Sequence, residues 1–223
     1  MSESFRTIGT APKWRPDGKP LLVGGLPAGG AARAVQMDFA SGSASPMAGS
    51  AKWDECGYPQ WSTTSDTVLC QVGKEGIVWR NVDSGEEMRR LRFERASANM
   101  PLSPDGRWLA FSGKDLRTLT LVAVEGGESR EVFRLDSNTD VLTPLSWTPD
   151  SRYLLYRNEQ GQVWRVSVSE GEARKLSIPI QGLRELRVHP DGKQVAILVQ
   201  QPGSEIWVLE NFLPAAKATA ARR

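Results

Sequence analysis

A four-residue turn that keeps returning constrains this chain more than any other feature. In its fullest form it is Ser103-Pro104-Asp105-Gly106, followed by the apolar run Trp108 to Phe111. Proline presets φ near −65°, aspartate folds its carboxylate back onto the backbone, and glycine accepts φ > 0. Related turns stand at Arg15-Pro16-Asp17-Gly18, Thr148-Pro149-Asp150-Ser151 and His189-Pro190-Asp191-Gly192, and a degenerate one, lacking Pro and Gly, at Thr63 to Asp66. The aspartates Asp17, Asp66, Asp105, Asp150 and Asp191 are 49, 39, 45 and 41 residues apart. A period of about 40–45 residues with several short strands per unit points to the blades of a β-propeller.

The expected architecture is all-β, with about five four-stranded blades in one domain over residues 1–214. The repeats cover about 12–50, 53–95, 99–136, 143–179 and 184–213, and residues 215–223 form a flexible tail. The fifth repeat shows only three strands before Pro214. Residues 4–9, SFRTIG, form an unassigned strand-like stretch, predicted to complete the last blade beside Glu205 to Leu209. Such an exchange would pair two open edges. Trp14, Trp61 and Trp147 share one place in the repeat, and Trp79, Trp164 and Trp207 another, which predicts packing between blades.

The recurring W-S/T-P-D-G/S, the apolar strand after it, the I/V-W-x-V strand and the G-G/E turn resemble the TolB-like, WD-repeat-like β-propeller family over about residues 12–213. The resemblance implies a non-catalytic scaffold that binds a protein or peptide partner, with a small ligand in the central channel as a further option. It also implies an alternative: the propeller portion of a larger chain, either a sensor on a bacterial Ser/Thr kinase or transcriptional regulator, or the propeller of a prolyl-oligopeptidase-type enzyme. The repeat in residues 53–95 departs from the pattern, and five repeats are fewer than the family's usual six or seven.

Candidate chemistry is sparse. His189 is the one histidine, and it occupies the turn position held elsewhere by Ser103 and Thr148. There is no G-x-S-x-G elbow for it to serve, so no catalytic residue is expected. One histidine and two distant cysteines do not furnish a zinc site. The five aspartates, one per blade, are expected to bond within their own turns. Gly24 to Ala34 lacks the G-K-[ST] end of a phosphate loop and reads as a hairpin connection, so no cofactor is expected. Cys56 and Cys70 are expected as separate reduced thiols.

The net charge of +2 gives no case for nucleic acid. No apolar run approaches the ~18–20 residues of a membrane span. The N-terminus lacks a charged region followed by an apolar one, which places the chain as written in the cytoplasm, or outside it if the chain is part of a membrane-anchored parent. Arg89, Arg90, Arg92 and Arg95 make the densest basic run, a candidate partner surface on an outer strand where charge also discourages edge pairing.

Overall fold

The computed structural model describes residues 5–8, 13–17, 21–27, 33–38, 41, 43–47, 53, 56–64, 66–72, 76–92, 100–126, 129–136, 141–178, 180–201 and 203–210. They form five antiparallel sheets in chain order. The first holds β1 (Phe5–Ile8), β2 (Lys13–Trp14), β3 (Leu21–Pro27), β4 (Arg33–Asp38) and β5 (Ser43–Pro46). The second holds β6 (Gly57–Trp61), β7 (Thr67–Gln71), β8 (Gly76–Asn81) and β9 (Glu87–Arg92). The third holds β10 (Trp108–Ser112), β11 (Thr118–Ala123) and β12 (Arg130–Arg134). The fourth holds β13 (Leu142–Trp147), β14 (Tyr153–Asn158), β15 (Val163–Ser167) and β16 (Ala173–Lys175), and the fifth β17 (Leu183–Val188), β18 (Gln194–Gln201) and β19 (Gly203–Glu210).

The strands pack as blades because alternation sends their side chains to two covered faces. β7 is buried along its whole length. Val68 and Cys70 enter a core with Leu22, Met47 and Trp53 on the side of the first blade. Leu69, between them, enters the next core with Trp79, Met100, Leu109 and Phe111. β10 repeats the division, with Leu109 and Phe111 facing backward and Ala110 facing forward to Trp147, Leu154 and Tyr156. Leu155 then joins Val195, Ile197 and Val199 between the fourth and fifth blades. Trp79 and Trp164 lie in or against these shared cores; the Trp207 side chain lies outside the described residues. The outer strands β9 and β12 carry mostly exposed and half-buried side chains, as blade rims must.

Three expectations are corrected. β1 does not complete the last blade: it pairs antiparallel with β3, Phe5 opposite Pro27 and Ile8 opposite Gly25. β2 pairs with the other half of the same strand, Lys13 opposite Leu22. The two together make one interrupted inner strand, so the short segment meets its nearest unpaired neighbour in sequence. The third blade is not four-stranded, because its inner segment holds only the Leu102–Leu109 bridge. Pro101 and Pro104 flank that bridge and lack the N–H that would extend a ladder.

Cys56 and Cys70 are not separate thiols. They form a disulfide, with Cα atoms 4.7 Å apart. Cys70 sits fully buried in β7, and the hydrogen bond from Cys56 N–H to Trp53 O holds the second cysteine against the same core.

Residues 211–223, including the predicted tail, lie outside the described residues. Among the described ones no helix is long and apolar enough to cross a membrane.

Candidate functional site: the axial pocket

The recurring turns arise from local chemistry. Ser103 N–H donates to Trp108 O and Trp108 N–H to Ser103 Oγ, closing a small loop around Asp105. Ser103 Oγ–H donates to Asp105 Oδ1 at 2.5 Å, and Arg107 N–H donates to the same oxygen. Thr148 and Asp150 repeat the pattern, with Thr148 Oγ1 to Asp150 Oδ1 at 2.6 Å. In the last repeat His189 Nδ1 lies 2.8 Å from Asp191 Oδ1, and Lys193 N–H donates to that oxygen. These bonds hold the Asp191 carboxyl below the usual range, the Lys193 N–H first among them. Asp66 is held low by the Thr64 and Thr67 side chains, and Asp17 pairs with Arg15 at 3.5 Å. Gly106, Ser151 and Gly192 sit at matched positions with φ of 73°, 56° and 72°.

Each turn follows the inner segment of its repeat, and all five repeats meet around one space. They enclose a pocket of about 220 Å³. Its rim is Pro16, Thr63, Pro104, Pro149 and Pro190; its wall includes Trp14, Trp61, Leu102, Trp147 and Val188. One residue earlier in each repeat stand Lys13, Gln60, Pro101, Ser146 and Arg187, which also line it. All five are buried.

Polar atoms at this inner level stitch neighbouring blades. Gln60 donates to Met100 O at 2.7 Å and accepts from Leu102 N–H at 3.2 Å, joining blades two and three. Trp147 Nε1 donates to Pro101 O at 2.9 Å, joining three and four. Val188 N–H donates to Ser146 Oγ at 3.0 Å, and Arg187 Nη1 to Leu145 O, joining four and five. Arg15 lies over the Trp61 ring at 5.2 Å between one and two. The last junction closes the ring: Trp14 meets His189 edge-on with centroids 4.5 Å apart. Beneath them Lys13 feels both Arg187 and Glu185.

The fold is that of a TolB-like, WD-repeat-like β-propeller. No protein-family model matches the sequence, and no curated protein is significantly similar to it. Among solved structures, a putative TolB from Agrobacterium tumefaciens aligns with a TM-score of 0.63 at 16% identity, covering 94% of this chain and 78% of that one. The β-propeller domain of Cps50 (Swd1) from Myceliophteria thermophila aligns at 0.57 and 14%, covering 99% and 71%. TolB from Acinetobacter baumannii aligns at 0.57 and 13%, covering 81% and 46%.

The basic run is dispersed by the propeller. Arg89 donates to Val124 O at 2.7 Å and lies 5.1 Å over the Trp79 ring, bridging two blades. Arg90 pairs with Glu87 at 2.6 Å, and Arg92 is exposed. Arg95 lies outside the described residues. Gly24 to Ala34 spans the β3–β4 hairpin, Gly25 opposite Arg33, and its connecting residues 28–32 are likewise outside them. Among the described residues no group of metal-ligating side chains gathers. Lys13, Gln60, Ser146 and Arg187 were not singled out by sequence reasoning. The signal for them exists: each stands immediately before the last inner-strand residue of its repeat.

Proposed function

We propose that the chain is a non-catalytic propeller module that binds a peptide segment of a protein partner in its axial pocket. The observation that carries this reading is the convergence of matched positions from five repeats on one concave, indole- and proline-walled site. Apolar walls with a few convergent polar groups are the usual composition of a ligand pocket. The Gln60 amide and the Ser146 hydroxyl are engaged in holding blades together, and the one histidine lies against Asp191 within its turn.

A soluble peptide library carrying both free and blocked C-termini, passed over the immobilised protein, tests the reading. Enriched peptides should bind the native chain and lose about tenfold or more affinity to Ser62→Trp, which fills the mouth. Absence of enrichment, or binding indifferent to Ser62→Trp, overturns it. A purified hydrolytic activity abolished by His189→Ala would make the pocket catalytic instead.

The Cys56–Cys70 bond favours a second reading, in which the propeller is an extracytoplasmic portion of a larger signalling chain, since disulfides persist in oxidising compartments. Alkylation of the protein taken directly from cells decides it: two blocked thiols before reduction would exclude that setting.

A further inference from the structure

A second hollow, of about 820 Å³, opens at the other end of the blades. β17 runs between the two: its last residue, Val188, lines the axial pocket, and its first, Leu183, lines the hollow. No lining residue is shared, so this site stands or falls apart from the peptide-binding reading. One wall is the β14–β15 hairpin. Asn158 fixes it by accepting Gly161 N–H on its carbonyl at 3.0 Å and Gln162 N–H on Oδ1 at 2.9 Å. The other wall is the segment between β16 and β17. There Leu176, Ile178 and Ile180 pack half-buried against the core that holds Val163 and Leu183, and all three line the hollow. Arg157 is the half-buried cation of the lining; its other charged residues, Glu159, Lys175 and Arg184, are exposed.

The Arg157 guanidinium is less engaged than comparable ones. Arg80, Arg117 and Arg157 each bury an Nε that has no hydrogen-bond acceptor. Arg80 and Arg117 anchor the group by donating from an Nη to Gly85 O at 3.0 Å and to Leu135 O at 3.1 Å. Among the described residues Arg157 makes one donation, from Nη1 to Asn158 O at 3.4 Å, onto a carbonyl that already takes Gly161 N–H. Burial holds its pKa below the ordinary value, with Glu185 opposing and Arg184 adding to the effect. We propose that the hollow binds a small aliphatic carboxylate, its head group on Arg157 and its chain along Leu176, Ile178 and Ile180. A planar guanidinium offers parallel donors that match a carboxylate. The volume of about 820 Å³ lies within the ~300–1,000 Å³ of small-molecule sites, which combine apolar walls with a few polar groups. One half-buried cation suits a monoanion, whereas a phosphate monoester brings about −1.5 to −2 charges at pH 7.

Amide-resolved NMR titration of the full chain tests this with four probes: octanoate, 1-octanol, acetate and octyl phosphate. Octanoate should shift the Gly161, Gln162 and Gly182 signals saturably and leave those of Ser62 and Ser103 in place. Octanol and acetate should each bind about tenfold or more weakly, the first lacking hydrogen bonds between charged groups and the second the apolar contact. Arg157→Gln should bring octanoate down to the affinity of octanol, with the rest of the spectrum unchanged. Ser177→Trp fills the hollow from an exposed position, and it should abolish octanoate binding even where Arg157→Gln does not fold. Octanol or acetate that binds as well as octanoate overturns the proposal, as does octyl phosphate that binds more tightly. So do shifts centred on Ser62 and Ser103, or signals at Gly161 and Gly182 that do not move.

Discussion

At the scale of single residues, position on the ring decides what a side chain contributes. Lys13 is buried beside Arg187, and desolvation, then Arg187, pushes its pKa well below the ordinary 10.5, with Glu185 partly opposing. Between the lowered folded value and the ordinary one, the unfolded chain holds the extra proton. Stability therefore rises with pH across that window and levels off above about 10.5. Lys13→Met should flatten that alkaline rise in denaturant melts, and an unchanged slope would contradict the burial. Glycines divide the same way. Gly76 has φ of 139°, and a Cβ there would run into the Leu91 carbonyl oxygen on β9. Gly161 has φ of 77° and nothing within 4 Å of a Cβ. Gly161→Ala should cost about 1–2 kcal/mol, the ordinary cost of a left-handed alanine. Gly76→Ala should cost about 3 kcal/mol or more, because backbone strain and a clash with backbone add. Urea midpoints of the two variants check the order.

Among elements, β1 has the most informative position. It and β2 share β3 as partner, so the first blade supplies its own inner strand and the ring closes through side chains at the β2–β17 junction. Deleting residues 1–10 should lower the melting temperature by the loss of a short ladder, about 1 kcal/mol for each hydrogen bond removed. Amide exchange should quicken along β3, near Gly25 and Pro27's neighbours, and stay slow along β19. Loss of protection at Gly203 to Glu210 would show that the N-terminal strand belongs to the last blade after all. The outer strand β9 illustrates a rim that serves two ends. Arg89 turns inward onto Trp79 and Val124, and Arg90 turns outward onto Glu87.

For the whole molecule, four cores between successive blades and a side-chain contact between the last and the first make a closed ring. A closed chain of 223 residues should have a radius of gyration of about 17 Å. Small-angle scattering from a dilute monomer should return that value. A markedly larger radius would describe an open arc with its end blades apart. The pocket belongs to this scale as well, since every blade contributes to its lining and opening any one junction would dismantle it.

What the amino-acid sequence determined by itself was whatever is settled within a few residues. Proline, aspartate and glycine or serine set the turns at 103–106, 148–151 and 189–192, and their bonds run between neighbours in the chain. The unbroken apolar run along β10 likewise fits a strand covered on both faces, because successive side chains point to opposite sides and both sides are apolar. The repeat period then specified blades. Tertiary structure decided the rest. The partner of β1 depended on which strand had an unpaired edge, and the Cys56–Cys70 bond on how one turn folds over a core. Lys13 and Arg187 stand near opposite ends of the chain, and no local pattern couples them. They meet because the ring closes, and closure is a balance of contacts between blades, to which short-range propensity is blind.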